Sequence, residues 1–223
     1  MIQLSEYIKS LFSNHKDEIA TGDFDRIYKE CIAWERSRLS DIFVSIGVNP
    51  MEHVQDLYPK MFNGCTKVKQ LHIPPKFTNI PDGFAGSLKI ETLVIPEGVM
   101  SVDTWAFESC DELKSIKFPS TLVEIWGDAF SNCYSLTNIE LPEGLTHIHD
   151  YAFCNCNSLE KIKLPSTLRA IKPWAFGNCP KLKEIEFNGT KAQWIGMNFY
   201  KEWRGGDKAD KVKVICTDEV FYR

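Results

Sequence analysis

Residues 113–135 read LKSIKFPSTLVEIWGDAFSNCYS, and the two blocks after them repeat the pattern: LTNIELPEGLTHIHDYAFCNCNS at 136–158 and LEKIKLPSTLRAIKPWAFGNCPK at 159–181. Their leading residues, Leu113, Leu136 and Leu159, with Leu182 next, stand 23 residues apart. A fixed short period predicts a stacked solenoid, because one such unit cannot bury its own apolar face and must pack on its neighbours. Each block has the same grammar. A strand-like L-x-x-I-x-L/F-P comes first, as in Leu136, Ile139, Leu141 and Pro142. A short apolar pair follows (Leu145, Ile148), and then a compact x-A-F-x-x-C (Ala152, Phe153, Cys156). Pro96, Pro119, Pro142 and Pro165 fall at strand ends, where a missing N–H does least harm.

The phase extends in both directions. Ile90 opens IETLVIPEGVMSVDTWAFESC, and Val68 opens VKQLHIPPKFTNIPDGFAGS, one residue short and with Ser87 where cysteine is expected. Phe62-Asn63-Gly64-Cys65 supplies an earlier half turn. Downstream, Leu182 to Phe187 starts a turn that diverges from about residue 188 into NGTKAQWIGMNFYKEW, the polar RGGDKADK and a closing strand-like VKVICT at 212–217. Atypical ends are expected of a stack that must be capped. The reading is about five and a half turns over residues 58–223.

The motifs IPEGVMSVDTWAF, LPSTLVEIWGDAF, LPEGLTHIHDYAF and LPSTLRAIKPWAF, each followed by N-C-x-x-L or S-C-x-x-L, resemble the BspA-type leucine-rich repeats. NGTKAQW and the terminal VICTDEV are similar to the ends of such arrays. The resemblance covers about residues 58–218 and implies a right-handed horseshoe or short rod used for protein or surface binding. It implies no catalytic residues and no cofactor. Many relatives are exported; the start MIQLSEYIKSLF has no charged region followed by an apolar stretch, so the expectation here is an intracellular, cytoplasmic protein.

Residues 1–57 break the period. Leu4, Ile8, Leu11 and Phe12 recur at helical spacing, and Gly22-Asp23 offers a stop and a cap for a second helix striped by Phe24, Ile27, Tyr28, Cys31 and Ile32. Ser40-Asp41 introduces a third, and a short fourth could run from Met51 to Leu57. The predicted class is therefore α+β: a small all-α front before the leucine-rich-repeat solenoid. The front is expected to cover the first exposed strand edge, and also offers a binding module of its own. Helical fronts joined to such repeats resemble those on bacteriophage-encoded proteins.

Composition narrows the function. A net charge of −4 and a pI near 5.8 give no basic footprint for nucleic acid. No apolar run reaches the roughly 18 residues of a membrane span. Cys110, Cys133, Cys156 and Cys179 occupy one position of the repeat, beside Phe107, Phe130, Phe153 and Phe176. In a reducing compartment they read as a ladder of free, buried thiols packed as small apolar groups. Cys31 and Cys216 read as core positions in other elements.

Aligning the blocks turns positions into columns. Two run along the first strand: His72, Val94, Lys117, Glu140, Lys163, Glu186 and Glu91, Lys114, Thr137, Glu160, Lys183. Their alternating charges describe a solvated sheet that satisfies itself. The second segment differs: Pro81, Asp103, Trp126, His149, Lys172 form one column and Gly83, Trp105, Asp128, Tyr151, Trp174 the next. Aromatics and histidines gather where the core does not need them, either to stack on one another or to anchor a partner. The candidate partner-binding residues are Trp105, Trp126, His147, His149, Tyr151 and Trp174.

Metal and catalytic readings are weaker. His147, His149, Cys154 and Cys156 contain the right types for zinc, but the frame puts Cys156 inward and the histidines outward, so they do not converge. The same objection meets a Cys–His nucleophile. Arg204-Gly205-Gly206-Asp207 reads as a turn, not a phosphate loop. The sequence thus predicts a non-enzymatic binding module without metal or cofactor, whose partner is a protein. A small-molecule or peptide binder using the Trp126, His149, Tyr151 patch is the alternative.

Overall fold

A computed structural model describes Leu71, Ile73 and residues 77–200, 202–205 and 211–223. The helical front at 1–57, the half turn at 58–65, Cys31 and His72 lie outside the described residues. What is described is a parallel solenoid whose turns pair residue for residue at the predicted repeat. Thr146, for example, bonds the carbonyl of Val123, 23 positions back.

Two walls run along the stack. The first is built from the L-x-x-I-x-L/F segments: β2 (Thr92–Val94), β4 (Ser115–Lys117), β6 (Asn138–Glu140), β8 (Lys161–Leu164) and β10 (Glu184–Phe187). β2 pairs with β4, and β6, β8 and β10 pair in order, all in parallel. The second wall uses strands of only two residues: β1 (Asn79–Ile80), β3 (Ser101–Val102), β5 (Glu124–Ile125), β7 (His147–Ile148), β9 (Ala170–Ile171) and β11 (Asn198–Phe199). The A-F-x-x-C stretches close the third side, and they too are hydrogen-bonded between turns. Phe107 N donates to Ala129 O at 2.8 Å, Phe130 N to Ala152 O at 2.8 Å and Phe153 N to Ala175 O at 2.8 Å. Backbone groups that no helix or long strand could satisfy are therefore paired along the axis.

The core is the repeat written in three dimensions. Ile80, Val102, Ile125, Ile148 and Ile171 line the second wall, and Ile90, Leu113, Leu136, Leu159 and Leu182 line the first; all are buried. Phe107, Phe130, Phe153 and Phe176 stack face to face, with ring centroids 5.3–5.4 Å apart. That spacing lies close to the roughly 4.8 Å between strands, so one ring per turn fills the column. Both ends of the stack turn edge-on: Phe84 meets Phe107 at 82° and Trp203 meets Phe176 at 84°. Cys110, Cys133, Cys156 and Cys179 are free and buried, and each Sγ lies 3.3–3.5 Å from a backbone carbonyl, as Cys133 does from that of Phe107. Burial pushes the Cys110 thiol up to about 12 and those of Cys133 and Cys156 well above their ordinary value, so these three thiols stay protonated. Cys216 is buried as expected.

The divergent C-terminal segment is a cap. Thr190 starts α1 (Lys191–Gly196) with a capping box: its hydroxyl accepts from Gln193 N, and the Gln193 side chain accepts from Thr190 N. α1 buries Trp194 against Phe187, Phe199 and Phe221. The expected closing strand is β12 (Lys213–Ile215), parallel to β10, and the chain then turns back as an antiparallel β13 (Val220–Tyr222). Among the described residues no helix is long and apolar enough to cross a membrane.

Candidate functional site

The strands of the second wall are short, and from β1 to β7 the isoleucine or valine is buried while the residue before it is part-exposed; β9 buries both Ala170 and Ile171. Register places Ser101, Glu124, His147 and Ala170 in one row. Asp103, Trp126, His149 and Lys172 follow two residues on. Trp126 and His149 lie parallel, with centroids 4.2 Å and planes 12° apart.

Glu124 sits at the centre of this group. Its carboxylate is 3.6 Å from Nδ1 of His147 and 3.9 Å from Nε2 of His149. Thr146 Oγ1 donates to Val123 O and lies 2.8 Å from His147 Nδ1. With the threonine proton committed to that carbonyl, Nδ1 of His147 is the donor in this contact. His149 Nε2 is buried without a hydrogen bond. Burial holds His149 below the ordinary histidine range, against an upward pull from Glu124 and with a further lowering from His147. The imidazole is thus neutral and lies flat on the indole at neutral pH.

The next column carries Trp105, Asp128, Tyr151 and Trp174, and all four have left-handed backbones, φ 57, 54, 60 and 57°. Gly83 occupies the same place in an earlier turn at φ 59°. This conformation suits glycine and tolerates aspartate; it costs a bulky L-residue roughly 1–2 kcal/mol. Three turns nevertheless carry an aromatic ring here. Tyr151 and Trp174 stack at 6.1 Å, while Trp105 is separated from them by Asp128. Stacking does not hide the rings: Trp105, Trp126 and Tyr151 are 50, 39 and 42% exposed. The six sequence-predicted residues therefore lie in the outward positions of the second wall and its adjoining turn, as two stacked pairs, with Trp105 open to solvent on its own.

The structure adds members that periodicity could not show. Tyr200 and Glu202 come from the last turn, which returns to register 28 residues on. Lys172 Nζ bonds the Tyr200 hydroxyl at 2.8 Å and lies 4.4 Å from its ring centre, and Trp174 Nε1 reaches Glu202 at 3.4 Å. A shallow depression beside the face is lined by Thr146, Ser166, Thr167, Arg169, Gln193 and Met197, and none of the aromatic or histidine candidates lines it. Cys156 is buried in the ladder while His147 and His149 sit outside, as the frame required. Among the described residues no group of three or more His, Cys, Asp or Glu could hold a metal ion.

The sequence matches the BspA type Leucine rich repeat region, in 6 copies, over residues 40–83 and 81–203. The chain belongs to the BspA-type leucine-rich-repeat family. Proteins built on this family's solenoid serve in general as protein-interaction scaffolds, typically non-enzymatic. Among solved structures, a leucine-rich repeat protein from Bacteroides ovatus is 23% identical over 62% of this chain and 40% of its own, with a TM-score of 0.51; it shows the fold. A leucine rich cell surface protein from Faecalibacterium prausnitzii is 31% identical over 59% of this chain and 37% of its own (TM-score 0.41). The T. pallidum Leucine Rich Repeat protein is 27% identical over 57% and 50% (TM-score 0.45). The chain thus spans half or less of the length of these relatives. No curated protein matches it.

Proposed function

We propose that this BspA-type repeat protein is a non-enzymatic binding module that docks a protein partner on the face of Trp105, Trp126, His147, His149, Tyr151 and Trp174. One observation carries the reading. Two turns hold an exposed aromatic ring, Trp105 and Tyr151, and a third the half-buried Trp174, at a left-handed position where Gly83 and Asp128 serve the fold elsewhere. Strain of this kind is retained where it does something else. Exposed Trp and Tyr on a rigid scaffold are the usual anchors of interfaces. In its fuller form the proposal is an intracellular protein, of phage or bacterial origin, that sequesters or antagonises a host factor. The free, buried thiols of the ladder go with a reducing compartment.

Capture from host lysate on the full chain, followed by cross-linking and mass spectrometry, tests this. The expected result is one stoichiometric protein with cross-links to residues flanking Trp126 and Tyr151, lost in Trp126→Ala. Cross-links confined to the first wall, or capture unaffected by Trp126→Ala, would overturn it.

A further inference from the structure

We infer that the partner meets this face with a cationic segment, its arginine or lysine side chains lying over the aromatic rings and answering the carboxylates among them. The inference rests on the docking face proposed above and names the chemistry of its occupant.

The two walls treat their charges differently. On the first, Glu91 is paired with Lys114, Glu140 with Lys163, and Glu184 and Glu186 with Lys161. On the aromatic face, Asp103, Glu108, Asp128, Asp150 and Glu202 have no lysine or arginine within ion-pair distance among the described residues. Asp128 stands between Trp105 and Tyr151 in the column, beside the Trp105 and Ser131 side chains. Burial raises the Asp128 carboxyl above the usual range, and Asp150 adds to it; burial likewise raises Glu108, with Asp128 adding. Neighbouring, partly buried carboxylates without a cation beside them favour an incoming positive charge.

The rings are the other half of the recognition. A guanidinium or ammonium within about 6 Å of a Trp or Tyr face is attracted by its quadrupole. The face already contains one instance: Lys172 over Tyr200, at the end of the row that begins with Asp103. An acidic partner would meet Asp103, Glu108 and Asp128 directly. A wholly apolar one would bury Glu108 and Asp128 without a counter-charge, which is costly. A basic segment satisfies both the rings and the acids.

The test uses the full chain and three fluorescein-labelled dodecapeptides: alternating Arg-Gly, alternating Lys-Gly and alternating Glu-Gly. Anisotropy should show binding of the Arg-Gly peptide, weaker binding of Lys-Gly, and none of Glu-Gly. Affinity should fall by about ten-fold or more between about 50 and 300 mM salt. The pair Glu108→Gln with Asp128→Asn should weaken Arg-Gly binding by about ten-fold, as should Trp126→Ala. Glu140→Gln, on the other wall, should leave it within about two-fold. Melting curves on each variant separate lost binding from lost fold. Failure of Arg-Gly to bind at millimolar peptide, or equal losses from Glu140→Gln and the Glu108/Asp128 pair, would overturn the inference. If cross-linking still maps a captured protein to Trp126 in that case, the docking face stands and its occupant is not basic. If neither peptide nor protein maps there, the face itself is wrong.

Discussion

The two walls share one core and one pitch, yet they spend their outward positions differently. On the first wall, β2 to β10 present lysines and glutamates that pair across neighbouring turns. On the second, β5 and β7 present Trp126, His147 and His149, and the adjoining turn presents Trp105, Tyr151 and Trp174. A solenoid needs only its inward columns to stand, so the outward ones are free to vary. A column that cancels its own charge is furnishing a solvated surface. A column that keeps open rings at strained backbone, among carboxylates, is what we propose another molecule meets.

The sharpest way to break this comparison is through the core that both walls share. Phe153→Ala removes one ring from a stack of four and should cost about 3–5 kcal/mol of stability, read by urea titration. A cost below about 1 kcal/mol would mean that the turns are held by their backbone ladders, not by the column. Trp126→Ala should do the reverse, costing about 1–4 kcal/mol of partner binding with little change in melting. If stability falls as far as binding, the Trp126–His149 stack is structural. Cys133→Ser comes next, at about 1–2 kcal/mol, because the hydroxyl enters an apolar column with the Phe107 carbonyl as its nearest acceptor; intact mass showing disulfides among the ladder thiols would refute the packing account instead.

Acidification gives a smaller effect with a definite sign. The folded state lowers His149, so the unfolded chain takes up the proton first. Stability should therefore decline as pH falls below about 6.5, the unperturbed histidine value, and His149→Gln should flatten that decline in a melting series. Asp128 and Glu108 are raised and have the opposite sign: their contribution opposes folding at neutral pH and is relieved as they protonate in acid. Asp128→Asn should thus raise the melting temperature slightly at pH 7, since asparagine also accepts φ 54°. The smallest effect is expected at Glu140→Gln, which should leave both melting and binding unchanged within error, because exposed ion pairs contribute little.

The solenoid was legible because its determinants recur. Ile125, Ile148, Phe130, Phe153 and the ladder cysteines each appear at one spacing, and the structure buries all of them. The outward columns were legible for the same reason, which is how Trp126 and His149 came to be neighbours before any coordinates. What periodicity does not carry was not legible. Tyr200 and Glu202 join the face through a turn of different length. Glu124 lies in the right row, but nothing in its spacing says that its carboxylate falls between two imidazoles. The left-handed backbone at Trp105, Tyr151 and Trp174 is masked in sequence by aromatic side chains, and only Gly83 and Asp128 in the same column hinted at it. The antiparallel return of β13 follows the last repeat and so has no template in the chain.

The edge-on rings at the two ends of the phenylalanine stack have a consequence for how such an array can change length. Phe84 and Trp203 cross the rings they meet at 82° and 84°, where the interior rings lie parallel. A copy of residues 136–158 inserted between Phe130 and Phe153, by contrast, meets a parallel ring on each side. Each turn inserted there would carry one more outward residue of the proposed docking face.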